Sequence, residues 1–243
     1  VSEEQSYLSV AIAGWKAADF INATIEAIEA FEKKQGYGVE IVIVCMQAGD
    51  NTYELVQEKM KTNSNVKAIV LPDRVGKGKA IQLAMAEATG RYRCFIDADM
   101  GVSIDQVEGA LALIDKYDVV IGSRYMKGGE HSRRSLARTI VSRGGNMMFW
   151  LVLGLHYTDT RAPMKLYRAE VAKMLFPKLQ LPGFGFDTEL LFLARKFGYS
   201  VAEYPVHWEA TEESTVDIKD DAIRSILELF QVRWYWLRGY YKR

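Results

Sequence analysis

A chain of 243 residues, 49% hydrophobic and 26% charged, has room for one large α/β domain with a substantial core. Its 31 basic and 31 acidic side chains cancel, so no net field draws it to nucleic acid and any anion must be held by a local cluster. Cys45 and Cys94 lie in apolar, strand-like runs and read as core thiols of a reducing compartment, while His131, His156 and His207 lack the spacing of a zinc site.

In chain order, Leu8 to Ala13 reads as a strand, and Ile21, Ile25, Ile28 and Phe31 mark one face of a helix. Glu40 to Cys45 is a second strand, apolar almost throughout, as buried parallel strands are. A helix over Thr52 to Lys61 and a short strand over Lys67 to Leu71 follow. Gly76-Lys77-Gly78-Lys79 opens a helix through Ala88. Arg93 to Asp97 is the fourth strand, Ile104 to Lys116 a helix, and Asp118 to Ile121 the fifth strand. This alternation predicts a doubly wound, mostly parallel sheet with helices on both faces and right-handed crossovers.

The second half is more helical. Helices are expected over Ser135 to Leu155, after the lead-in Leu166-Tyr167-Arg168 through Phe176, and from Phe186 to Phe197. Ser200 to Trp208 is the last strand candidate. Asp217 to Gly239 reads as an amphipathic C-terminal helix with Ile223, Ile226, Leu227, Phe230, Trp234 and Leu237 on one face. There is no repeat and no obvious linker. A single domain over 1–243 is expected, with a first part over 1–125, a second over 126–215 and the terminal helix over 216–243.

Asp97-Ala98-Asp99 closes the fourth strand. By itself Asp-x-Asp is common in surface turns, but at the carboxyl end of a strand it lies where open α/β sheets bind ligands. Hard divalent cations bound to phosphate take oxygen ligands, usually only one or two of them protein carboxylates. Around this pair stand Ser9-Val10-Ala11-Ile12, Asp50-Asn51-Thr52 after the second strand, Gly76-Lys77-Gly78, and Gly122-Ser123-Arg124-Tyr125. Arg138-x-x-x-Ser142-Arg143-x-x-Asn146, Asp159-Thr160-x-x-x-x-Lys165-Leu166-Tyr167-Arg168 and Phe186-Asp187-Thr188-Glu189 follow. In this order the motifs resemble a family 2 glycosyltransferase of the nucleotide-diphospho-sugar transferase (GT-A) fold. The resemblance is greatest to the branch that makes dolichyl- or polyprenyl-phosphate glucose and mannose.

The resemblance implies transfer of a hexose from a UDP- or GDP-sugar to a polyprenyl phosphate with inversion, assisted by Mg²⁺ or Mn²⁺. It implies Asp99 as metal ligand with Asp97 as its partner near the donor. Arg124 would reach the phosphates, and Arg138 and Ser142, on one helix face, would grip the acceptor phosphate. Lys165 is expected either to assist the phosphates or to pair with Asp159. Asp187 and Glu189 match an acidic position near the acceptor, and Lys77 lies in the loop beside the donor.

The donor side departs from the family pattern. Ala17 stands at an acid position, Cys45 and Met46 replace paired aspartates, and Glu213-Ser214-Thr215 replaces a basic Gly-Ser-Lys/Arg. Trp15 and Gln47 are expected to compensate by stacking on and pairing with a base, with Ser214 beside the donor. Weak use of the ordinary donor, an altered donor, and a binding subunit without transfer activity all remain compatible with these changes. So does a same-fold transferase acting on a soluble sugar or protein hydroxyl.

The ending Arg233-Trp234-Tyr235-Trp236-Leu237-Arg238-Gly239-Tyr240-Tyr241-Lys242-Arg243 suits a bilayer surface, as does the apolar run Met147 to Leu155. Either would equally pack in the core or against a partner subunit of a homo-oligomer. That run is half the ~20 residues a spanning helix needs. The expectation is a cytoplasmic protein peripheral to the cytosolic face of a membrane, and the initial Val leaves open an anchor beyond either end.

Overall fold

The computed structural model describes residues 6–131, 148–209 and 218–242. Strand β1 (Leu8–Gly14) sends Val10 and Ile12 into one core layer and Ala11 into the other, as period-two alternation requires. Helix α1 (Ile21–Gln35) buries Ile21, Ile25, Ile28 and Phe31, the face its spacing predicts. Strand β2 (Val39–Met46) is buried along its whole length. Then come α2 (Thr52–Thr62), β3 (Val66–Leu71), α3 (Lys77–Glu87) and β4 (Tyr92–Ile96). Helix α4 (Val107–Ile114) is shorter than expected. Its first turn is a 3₁₀ segment, Ile104–Gln106, where the Ser103 hydroxyl accepts from the Asp105 amide.

After β5 (Val119–Ser123) and the short β6 (Glu130–His131), the long helix expected over Ser135 to Leu155 falls largely outside the described residues. Its end is a π-helical turn, Phe149–Leu153, stopped by Gly154 in the left-handed region. The next segment corrects the sequence reading. Lys165–Arg168, expected only as a lead-in to a helix, is strand β7. It runs antiparallel between β4 and β5, and α5 (Ala169–Leu175) follows it. Helix α6 (Phe186–Lys196) is fully buried from Phe186 to Ala194. The last expected strand divides into β8 (Val201–Pro205), parallel to β5, and β9 (His207–Trp208), parallel to β6. Helix α7 (Ile218–Leu237) and a 3₁₀ turn, Tyr240–Lys242, end the fold.

The sheet order is β3-β2-β1-β4-β7-β5-β8, parallel except for β7, with helices on both faces. The order reverses between β1 and β4, where an open α/β sheet leaves a crevice beyond its carboxyl ends. Helix α7 docks through Leu229 and Val232, while the apolar face read from the sequence lies outside: Leu227 is 63% and Leu237 72% exposed, with Ile226, Phe230 and Trp234 also exposed.

A buried carboxylate ties the first strands together. Glu40 accepts from the Ser9 hydroxyl, the Thr89 amide and hydroxyl, and the Lys67 ammonium at 2.7 Å. Burial pushes its pKa up, but these donors outweigh burial and hold it below the ordinary 4.5. Glu40→Ala leaves buried donors unpaired and is expected to cost about 3 kcal/mol at neutral pH. Because the folded pKa is depressed, Glu40's contribution is complete above its unfolded-state value and is lost as pH falls through the folded one. Urea unfolding should therefore show the gap between wild type and Glu40→Ala narrowing from pH 7 to pH 3.

Candidate active site

Beyond the ends of β1 and β4 lies an open cleft of about 450 Å³, within the range of about 300–1,000 Å³ typical of small-molecule sites. Ala13, Trp15, Met46, Arg74 and Val75 line one end, and Gly76, Lys77, Asp97 and Pro182 to Phe184 the other. The Arg74 guanidinium lies 5.0 Å over the Trp15 ring, giving an aromatic platform with a cation above it. Phe184 is half exposed, with the Lys77 ammonium 5.9 Å from its ring centre.

The two aspartates leave β4 in a tight turn. The Met100 amide donates to the Asp97 carbonyl, the Gly101 amide to Asp99 Oδ1, and Thr24 Oγ1 to the Ala98 carbonyl at 2.6 Å. Met100 has φ +48° and Lys16, next to Trp15, has φ +51°. Among the described residues these are the two non-glycine positions with positive φ, and each adjoins a site residue. Left-handed backbone at such residues costs about 1–3 kcal/mol and persists where surrounding contacts over-determine it.

Gly76-Lys77-Gly78 is demanded by close approach. A Cβ on Gly76, which has φ +88°, would stand 2.5 Å from the Pro182 carbonyl oxygen, and one on Gly78 would stand 2.7 Å from Phe186 Cβ. The segment preceding α6 thus lies directly on the start of α3. The Lys79 amide at that helix terminus donates to the Pro182 carbonyl at 3.1 Å, so this donor is spent within the protein rather than on an anion. Lys77 itself is ion-paired to Asp97. Burial works against its charge, but the carboxylates of Asp97, Asp187 and Asp99 outweigh it and raise its pKa above the ordinary value.

Behind the cleft runs a series of paired charges. Lys165 is wholly buried and donates to Asp187 at 2.5 Å and to the Ala162 carbonyl at 2.8 Å. Burial lowers its pKa against the pull of Asp187 and Asp159. Asp159, the other partner open to Lys165 on sequence, is taken by Arg124 instead, through Nε at 2.7 Å and a second guanidinium nitrogen at 2.9 Å. Burial opposes ionisation of both, yet their mutual attraction keeps the carboxyl below and the guanidinium above their ordinary values. Glu189 is fully buried and accepts from the Gln180 and Leu181 amides and the Tyr241 hydroxyl. Burial raises its pKa.

Of the sequence-derived candidates, Trp15, Lys77 and Asp97 line one cleft, with Asp99 two residues along the same turn. Gln47 is exposed and not part of the lining; its amide donates to the Leu71 carbonyl. Arg124 and Asp187 belong to the paired charges. Arg138, Ser142 and Ser214 lie outside the described residues. Arg74 and Phe184 were not singled out in the sequence, though an arginine two residues before the glycine loop and a phenylalanine between two glycines were the available signals.

The donor set suits a hard cation. Asp97 lines the crevice with Asp99 two residues along the same turn, and Asp97 already holds a positive group, the Lys77 ammonium. Among the described residues no three His, Cys, Asp or Glu side chains form a ligand set, so a cation here would draw its remaining ligands from phosphate and water.

The profile of Glycosyl transferase family 2 matches residues 9–176. A dolichyl-phosphate beta-glucosyltransferase of Trichomonas vaginalis is 31% identical over 82% of the chain and 61% of its own length. One from Dictyostelium discoideum is 27% identical over 97% of the chain and 76% of its own length. The chain therefore spans less than two thirds of the first of these relatives. Glucosyl-3-phosphoglycerate synthase from Mycobacterium tuberculosis, solved with Mn²⁺, UDP and glucosyl-3-phosphoglycerate, shares the fold. Its TM-score is 0.68 at 16% identity, over 93% of this chain and 80% of that one.

Proposed function

The chain belongs to glycosyl transferase family 2, and on that premise we propose that it moves a hexose from a nucleoside diphosphate sugar to the phosphate of a dolichol-type polyprenol, with inversion. The observation that carries this reading is the cleft at the strand-order reversal. It sets an aromatic platform at one end and the Asp97 and Lys77 charges at the other, with Asp99 two residues along the turn. Trp15 and Arg74 receive the base, Lys77 the diphosphate, and Asp97 lies beside the sugar. Asp99, with Asp97, would hold Mg²⁺ or Mn²⁺, which when bound neutralises the departing diphosphate.

The acceptor phosphate is already an anionic nucleophile. The protein therefore has to align it behind the anomeric carbon and exclude water rather than abstract a proton. The burial of the two acidic candidates supports this choice over a hydroxyl acceptor. Asp187 is tied to Lys165 and Glu189 to three donors, so neither reaches the cleft as a free base. The openness of the cleft, despite Ala17, Cys45 and Met46 on the donor side, supports a working donor site over a binding subunit.

The test is incorporation of label from UDP-glucose or GDP-mannose into dolichyl phosphate, followed by organic extraction. One donor should label the lipid, EDTA should abolish it, and simple sugars or peptides should remain unlabelled. Label appearing only in a hydroxyl acceptor would contradict the proposal.

Among the described residues no helix is long and apolar enough to cross a membrane. The exposed row on α7 supports peripheral docking on a membrane surface, with Trp150 and Leu151 exposed as well. Arg233 and Arg238 accompany that row. Burial of a Leu or Phe is worth about 1.5–3 kcal/mol each. Leu227→Glu should therefore weaken sedimentation with phosphatidylserine vesicles by at least roughly tenfold.

A further inference from the structure

Lys77 holds a position that two ligands would contest. It starts α3, and its ammonium is paired with Asp97, within the field of Asp99 and Asp187. The same side chain lines the open cleft beside Phe184. The backbone beneath it is packed closely against the 182–186 segment at Gly76 and Gly78, and the ammonium rides on a flexible four-carbon stem. One ammonium therefore stands between the carboxylates fitted to a cation and the space fitted to a diphosphate.

Resting on the donor-cleft reading above, we propose that Lys77 is a positioning residue that makes cation binding conditional on the nucleotide. With the cleft empty, its ammonium neutralises Asp97 and repels a second positive charge, so the aspartates hold a free divalent cation poorly. A diphosphate entering the cleft offers the ammonium stronger acceptors. Lys77 swings from Asp97 to the phosphates, and the aspartate pair regains its full charge for the cation. Nucleotide and metal thereby favour one another, as linkage requires of coupled sites. No covalent bond changes in this step.

The proposal predicts changes of opposite sign, which a merely structural lysine would not give. The test is Lys77→Met, with Lys77→Gln as a second variant of similar length. Mn²⁺ binding without nucleotide is read by the loss of the free-ion electron paramagnetic resonance signal. UDP and GDP binding in EDTA is read by calorimetry. The expected result is Mn²⁺ held roughly five- to tenfold more tightly by the variants, and the preferred nucleotide held roughly tenfold less tightly in EDTA. Lys77→Arg should recover most of the nucleotide affinity. Unchanged or weaker Mn²⁺ binding in the variants, with the wild type binding nucleotide normally, would overturn the proposal alone. A wild type that binds neither nucleotide, with or without Mn²⁺, would overturn the donor-cleft reading and the proposal together.

Discussion

Asp99→Asn is expected to lower sugar transfer by roughly 10³-fold while leaving the fold intact. Withdrawing one fixed electrostatic stabiliser from a developing charge costs about 10²–10³ in rate. Here the charge is a whole diphosphate leaving group. The asparagine oxygen can still accept the Gly101 amide as Asp99 Oδ1 does at 3.2 Å, so the turn survives. Steady-state kinetics should show kcat falling, with the melting temperature within ~2 °C of wild type, a shift below 1 kcal/mol for a chain of this size. Activity within tenfold of wild type would remove Asp99 from the mechanism.

The largest expected loss of stability is at Lys165→Met. Lys165 and Asp187 are both buried and paired at 2.5 Å, and the substitution strands the carboxylate. Breaking such a pair from one side costs about 3–5 kcal/mol, or roughly 10 °C for a domain of this length. Converting both partners to apolar groups of similar volume is far milder, since it removes the desolvated charges together. Lys165→Met/Asp187→Leu should therefore be more stable than Lys165→Met alone by thermal unfolding. A double variant less stable than the single would mean that Asp187 is held mainly by other contacts.

The first five strands were legible because each is a short apolar run bounded by turn residues, with a helical period between them. Strand β7 was not, for a physical reason. Its four residues begin and end with charges, Lys165 and Arg168, which look like a surface segment. In the fold Asp187 pairs the first, and the carbonyls of Ile114, Asp115 and Tyr117 take the second. Helix α7 left its docking face open. It is apolar on two faces, and periodicity alone cannot tell that Leu229 and Val232 dock while Leu227 and Leu237 stay outside.

The site shows the same division. Lys77 and Asp97 were picked out by motif and Trp15 as a compensating aromatic, and the structure gathers them at one cleft. Which charges pair was beyond the sequence. Lys77 with Asp97, Arg124 with Asp159, and Lys165 with Asp187 are each separated by 20 or more residues, and the last is set by the inserted β7. Arg74 escaped notice because an exposed arginine in a loop has no pattern until Trp15 is seen beneath it.

The most direct measurement is a crystal structure grown with Mn²⁺ and the nucleotide sugar that labels lipid, using the manganese anomalous signal. The account predicts a peak bound to Asp99 and the diphosphate, with the base against Trp15 and the Lys77 ammonium turned onto phosphate. Manganese absent from the aspartate turn, or a nucleotide lodged away from the cleft between Trp15 and Phe184, would contradict it.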